Sequence, residues 1–199
     1  MAILFLEKCT KMGREKEFIT LLRANNELMV ILDEVATLNL PNYYIAAGSI
    51  FQTVWNQVDS KLPMHGVEDI DVVYFDDHVT ADQAVSKDHA LEKELSQKFP
   101  FTFDVHNEAY MHLWRGGNKK PYQSTEDAIG RWIATVHAIG ITGTSKHLEF
   151  YAPYGLNDIF TKTLRPIIHK DNNKELYEKK IKSWQTRFSN LRIIAWPEK

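Results

Sequence analysis

The sequence is short of most features that would take it outside ordinary globular chemistry. A single cysteine, Cys9, stands among 199 residues. That excludes an internal disulfide and a cysteine-based zinc site, and a reducing, cytoplasmic setting is expected. No apolar run approaches the ~18 residues of a membrane span. The opening Met1-Ala2-Ile3-Leu4-Phe5-Leu6 meets Glu7-Lys8 at once, with no basic segment ahead of it, so it reads as too short for a signal peptide. Net charge is almost absent: 24 Lys and Arg against 26 Asp and Glu leave −2. No whole-molecule positive field therefore exists to coat nucleic acid by counterion release. Repeats, low-complexity tracts and Gly/Ser/Pro linkers are missing as well, and the length suits one domain over 1–199. Eight histidines supply no His-Glu-x-x-His and no close pair, which excludes zinc of that kind.

What is present is a core. Apolar residues make up 44% of the chain, too many for disorder. From Arg14 to about Thr37 they recur at spacings of three and four, which predicts two N-terminal helices within 14–38, divided at Asn25-Asn26. A core of about 43–160 follows. Tyr43 to Ala47 reads as a buried strand running into Gly48-Ser49, and Ile50 to Trp55 as a helix that Ser49 is suited to cap. Strands are expected over 68–77, 101–106 and about 147–151. Helices are expected at about 81–98, 108–114 and 125–137, after Gly155, and near 172–189. Residues 1–160 hold 14 Lys and Arg against 22 acids, whereas the helical segment 161–199 holds 10 against 4. That tail reads as a solvated basic face and, secondarily, as a lip attracting an anionic substrate. The fold class is α+β, a small mixed sheet with helices packed on it. The tryptophans Trp55, Trp114, Trp132 and Trp184 fall in apolar stretches and read as core.

The acids carry the chemistry. Asp69 and Asp71, two apart on a strand, leave the same face roughly 7 Å apart at ~3.3 Å per residue. Positions 68–77 hold five acids and no Lys or Arg, so a divalent cation is the economical compensation. Oxygen-only ligands suit Mg²⁺ or Mn²⁺. Asp104, the one acid in the strictly alternating stretch Phe101 to His106, lies on its polar face and is a third candidate. Three such carboxylates could hold two ions and serve phosphoryl or nucleotidyl transfer. Opposite them, a strand ending in Gly48-Ser49 and opening into a helix offers free N–H groups and a positive dipole end to phosphate. Asn107 and His112 could line the pocket. Lys119, Lys120 and Lys146 could meet a triphosphate, and Asp158 is as well placed to be a turn acid as a site residue.

In this order the segments Ala47-Gly48-Ser49-Ile50, Thr53-Val54-Trp55-Asn56, Asp69 to Asp76, Asn107 to His112 and Ala152 to Phe160 resemble the nucleotidyltransferase superfamily of polymerase-β-like fold. They look closer still to a family of small bacterial proteins within it. The resemblance spans about 47–160. It implies an enzyme that moves a nucleoside monophosphate from ATP or another NTP to an acceptor with release of pyrophosphate. It implies further that Gly48 and Ser49, with Asn107 nearby, hold the nucleotide, and that Asp69, Asp71 and Asp104 bind two Mg²⁺ or Mn²⁺ ions. The third carboxylate could take the acceptor's proton. The chain departs from the family pattern in having Phe51-Gln52 where Arg-Asn is usual, Glu108-Ala109-Tyr110 where Gln-Ala-Arg is usual, and 19 residues between Ser49 and Asp69. Two basic side chains are thereby lost near the expected pocket, which keeps open an alternative, a noncatalytic nucleotide- or metal-binding protein of the same fold.

Overall fold

The computed structural model describes residues 2–113 and 120–198, with side chains from residue 12 onward. Two helices open it, α1 (Ala2–Arg23) and α2 (Asn26–Thr37). They part where Asn25 leaves helical geometry and accepts the Leu28 N–H, the capping role its side chain is built for. The apolar stripe over 14–38 is real: Phe18, Leu22, Leu28, Ile31, Leu32 and Val35 are all fully buried. The first helix begins at Ala2, well ahead of that stripe.

Next come β1 (Tyr44–Ala46), α3 (Gly48–Val58), β2 (Asp69–Tyr74), α4 (Ala81–Lys98) and β3 (Thr102–Asn107). The fourth helix has sharp ends for a local reason. Thr80 and Gln83 form a reciprocal capping box at its start, and Phe99 turns extended ahead of Pro100 at its finish. Beyond lie α5 (Thr125–Ile129), β4 (Gly140–Gly143), β5 (Leu148–Tyr151), α6 (Asn157–Phe160), β6 (Thr163–Leu164), α7 (Lys174–Gln185) and β7 (Arg192–Ile193).

Five strands make one mixed sheet in the order β3-β2-β1-β4-β5, parallel only between β2 and β3 and antiparallel elsewhere. This is the small mixed sheet of the α+β class. β6 and β7 pair separately. One face of the large sheet presents Ile45, Ile70, Val72, Tyr74, Phe103 and Val105 to the main core. The other presents Tyr44, Ala46 and Val73 to a smaller cluster with Ile129, Ala138 and Ile167. β3 is an edge strand, and α4 covers it: Glu92 accepts the Val105 N–H and Asp88 the Asn107 N–H, at 3.2 and 3.1 Å. Acids one turn apart on the helix thus close the outward bonds of alternate strand residues, which removes a template for unwanted pairing.

Several expectations are corrected. The helix expected over 125–137 stops at Ile129, because Gly130 ends it and the chain then bends to make an isolated bridge from Ala134 to Pro166. The apolar spacing beyond 129 belongs to a buried loop instead. Residues 108–110 form a turn, followed by one 3₁₀ turn at Met111–Leu113, in place of a helix. Trp114 and Lys119 lie outside the described residues. Strands β4, β6 and β7 were not expected. Trp55 and Trp184 are core, while Trp132 is partly exposed against the smaller cluster.

Candidate active site

β1 ends at Ala46, which is paired with Asp71 across the antiparallel ladder. The chain then passes through Ala47, whose φ of 53° and ψ of −121° are costly for a residue with a β-carbon, and enters α3 at Gly48. Ala47 takes the cap position. Ser49 does not cap the helix as expected: its side chain is fully buried and its hydroxyl donates to the Ala46 carbonyl at 3.3 Å. The first N–H groups of α3 have no partner within the helix and stand at its positive end.

The carboxylates come from the neighbouring strands. β2 and β3 run parallel with Asp69 opposite Thr102 and Asp71 opposite Asp104. All four therefore leave the same face, with Asp71 beside Asp104 and Asp69, an exposed residue, opposite Thr102 two residues earlier on β2. Asp71 feels the other two acids. Burial, then the charges of Asp69 and Asp104, push the Asp71 carboxyl up to about 7, while Lys180 and His106 pull the other way. Asp104 is held below the usual carboxylate range by its bond with His106, whose Nε2 lies 2.9 Å from Oδ1. Burial disfavours charge on that imidazole, yet Asp104, Glu108 and Asp88 carry it up to about 9. His106 is thus a cation within the acidic cluster. Among the described residues no three His, Cys, Asp or Glu side chains are gathered as a ready-made ion cage.

A cavity of about 380 Å³ opens beside these strands, walled by Asp71, Asp104, His106 and Glu108 on the sheet side and by Arg131, Trp132, His137, Asp171 and Lys180 across from it. Gly48, Ser49 and Asn107 are not among its walls. Asn107 is 2% exposed and has a structural task, donating to the Asp76 carbonyl and accepting the N–H groups of Asp76 and Ala109, so that it ties the ends of β2 and β3. Asp158 accepts from Thr135 and Arg165.

The cations across the cavity were missed by sequence reasoning. Lys180 sits one helical turn before Trp184, and Trp184 packs edge-on against Phe51 at 5.5 Å, with Trp55 and Phe188 completing the stack. That aromatic anchor fixes α7 and with it Lys180. Arg131 is fixed by Asp127 through Nε at 2.8 Å and lies over the Tyr122 ring. His137 is kept neutral, pushed down to about 3 by burial and by Lys180, and its Nδ1 has no hydrogen-bond partner among the described residues.

The departures from the family pattern also find their places. Phe51 is a fully buried core residue. Tyr110 donates its hydroxyl to the Val79 carbonyl. Glu108 is 3% exposed, and burial together with Asp71, Asp88 and Asp104 outweighs His106 and pushes it up to about 8. At neutral pH it is mostly a neutral acid, close in shape and polarity to the glutamine usual there.

The comparisons with known proteins agree with this fold. A family model described as nucleotidyltransferase matches residues 33–193. A solved structure described as "The NMR structure of the protein reveals a CCA-adding enzyme head domain" shares 30% identity, with 91% of this chain and 96% of that one covered at a TM-score of 0.77. Another, "Structure of tRNA-processing enzyme complex 3", shares 18% identity over 82% of this chain and 43% of that one, and its TM-score of 0.46 is too low to carry argument. No curated protein matches the sequence. With most of its length matched by the family model and its fold shared across nearly the whole of a similar head domain, the chain belongs to the nucleotidyltransferase family.

Proposed function

We propose that the protein moves a nucleoside monophosphate from an NTP to an acceptor hydroxyl and releases pyrophosphate, using Mg²⁺ or Mn²⁺ held by Asp69, Asp71 and Asp104. The observation that carries this reading is the β2–β3 register, which sets Asp71 beside Asp104 on the wall of a cavity faced by Lys180 and Arg131. The donor set suits hard divalent ions, since it is all carboxylate oxygen. Asp71, raised to about 7 by burial and acidic neighbours, is a site short of positive charge. When bound, such ions would neutralise phosphate charge and activate the attacking oxygen.

The chain's own residues supply the rest. The N-terminus of α3 at Gly48 and Ser49 would receive the outer phosphates. Lys180 and Arg131 would offset the remaining charge, and Trp132 and Tyr122 offer flat apolar walls to a base. Asp104 would accept the acceptor's proton. Asn107 would act by holding the strand ends.

Pyrophosphate release from each of the four NTPs, with Mg²⁺ or Mn²⁺ and a panel of hydroxyl acceptors, tests the reading. Release should vanish in Asp69→Asn, and release that persists there sinks it. A second reading, a noncatalytic binder, is favoured by the Asp104–His106 pair and the ungathered acids. It expects saturable, metal-dependent nucleotide binding with no release.

A further inference from the structure

Asp171 is a buried carboxylate that the fold leaves short of a donor. It lines the cavity on the wall across from Asp71 and Asp104, and its side chain is 6% exposed. Its Oδ2 has no hydrogen-bond partner among the described residues. The imidazole beside it does not serve. His169 Nδ1, 3.1 Å from Oδ2, already accepts the Asp171 N–H at 3.2 Å, so it turns a lone pair and not a proton to this corner. Burying such an oxygen unpaired costs free energy, and native proteins leave few of them. Two donor-bearing neighbours on that wall are engaged elsewhere. Asn172 gives its amide to the carbonyls of Arg131, Trp132 and Ile167, and Arg131 gives its Nε and Nη2 to Asp127. The buried Nδ1 of His137, on the same wall, is partnerless among the described residues as well. Two unpaired polar atoms on the wall of one cavity mark a surface that a polar ligand completes.

The chemistry of that surface narrows the ligand. A carboxylate accepts hydrogen bonds and donates none, and it repels phosphate, so its complement is an N–H-bearing part of the ligand away from the triphosphate. The flat rings of Trp132 and Tyr122 wall the same cavity. Burial first, then the charges of Glu108 and Asp171, push the Tyr122 hydroxyl up to about 12, which sets the Asp171 carboxylate close to that ring. A base lying on these rings would bring its edge to Asp171. The four bases differ there. Guanine sets two N–H donors side by side, on N1 and on its 2-amino group, and the two oxygens of a carboxylate can accept both at once. The amino groups of adenine and cytosine have a ring acceptor beside them, and the N–H of uracil lies between two carbonyls. Each of these would set a lone pair against the second carboxylate oxygen. The three Asn172 bonds hold the Asp171 turn against residues 131–132, so the carboxylate is in place before a ligand arrives.

We propose that Asp171 selects guanine: its carboxylate accepts the N1 and 2-amino hydrogens of a GTP whose base lies against Trp132 and Tyr122. That the ligand is an NTP rests on the nucleotidyl-transfer reading, whereas the choice of base rests on Asp171.

Calorimetric titration of GTP, ITP, ATP and UTP with Mg²⁺, without an acceptor, into the full chain and into Asp171→Asn tests this. The parent should bind GTP about tenfold or more tightly than ATP or UTP, and ITP, which keeps N1–H and lacks the 2-amino group, should fall between. Asparagine keeps the size but puts an amide N–H in place of one acceptor, so the preference for GTP should shrink to within about threefold. A parent that binds GTP and ITP equally, or ATP more tightly than GTP, overturns the proposal, and this comparison decides even where the variant does not fold. A variant that weakens every nucleotide by the same factor overturns it too, since a role confined to packing or overall charge acts in that way. The ribose hydroxyls are the other donors a nucleoside could offer, and dGTP separates them. If Asp171→Asn erases a difference between GTP and dGTP but leaves the ratio of GTP to ATP, the proposal fails. A parent that binds no NTP overturns the nucleotidyl-transfer reading as well, whereas a parent that binds all of them alike overturns this proposal alone.

Discussion

Asp71 and Asp104 are register partners on the parallel strand pair of the sheet, so two carboxylates share a face, with His106 and Lys180 offsetting them. A core of similar stability could be built without that arrangement. The strands, the crossover helix α4 and the anchored helix α7 all converge on it, and stability is given up there.

Replacing Asp71 by Asn should stabilise the metal-free chain. The carboxyl is raised to about 7 by burial and by its acidic neighbours, so its charged form is a strain on the folded state at neutral pH. Relief of about 1 kcal/mol would raise the unfolding midpoint by roughly 2–4 °C for a chain of this size. In the parent, Mn²⁺ should raise the midpoint further, and in the variant it should not. Thermal unfolding in chelator and in Mn²⁺ reads both. A variant that melts lower in chelator, or that still responds fully to the ion, contradicts the assignment.

Glu108 should make stability fall as pH rises from about 4.5 through about 8. Its folded value of about 8 stands above its ordinary 4.5, so the folded chain keeps a proton that the unfolded chain has lost. For such a group the stabilisation is complete below about 4.5 and is lost as pH climbs through about 8. Asp71 and His106, raised to about 7 and about 9, slope the same way. Glu108→Gln should match the parent near pH 4 and exceed it above pH 8, measured as unfolding midpoints across that range. Parallel curves would show that Glu108 ionises freely in the fold.

The legible parts of this molecule are those whose cause is local. Thr80, Gln83 and the Phe99-Pro100 step bound α4, and strict alternation from Phe101 to His106 reveals β3 and the face of Asp104. The Gly-Ser entry to α3 and the acid pair on β2 each need only a few adjacent residues, and both lie on the elements expected for them. The illegible parts depend on distant partners. β4 is four residues between glycines and exists because β1 and β5 flank it. Ile133 and Val136 mimic helical spacing while packing a loop into the core. Lys180, Arg131 and His137 carry no local mark, and only Trp184 seated on Phe51 brings Lys180 to the acids. Ser49 is not the cap because the strained turn at Ala47 starts α3 two residues earlier than expected.

Lys180→Ala should impair nucleotide binding while leaving the fold intact. The side chain is exposed, so its loss opens no cavity, but it offsets the charge of Asp71 and Asp104 at the cavity mouth. A KM for NTP raised by about tenfold corresponds to roughly 1.4 kcal/mol, a reasonable worth for one ammonium facing phosphate. The unfolding midpoint should hardly move, and an unchanged KM would remove Lys180 from the site.

Phe51→Arg, which restores the side chain usual in the family, should be severely destabilising here. Phe51 is fully buried, with Trp55 at 4.7 Å, Trp184 at 5.5 Å and His137 at 6.5 Å. Removing a buried phenylalanine costs about 3–5 kcal/mol, and an unpaired charge in its place adds to that. Phe51→Leu, which keeps the site apolar, should cost about 1–2 kcal/mol and leave the chain folded. The milder variant also separates two effects. By loosening Trp184 it should free α7 and raise the KM for NTP in the manner of Lys180→Ala, and the two substitutions combined should do less than their sum. Denaturant unfolding and steady-state kinetics on the single and double variants decide it. A fully stable Phe51→Arg would mean that the aromatic stack is not what orders α7, and additive KM effects would mean that Lys180 reaches the acids without help from Trp184.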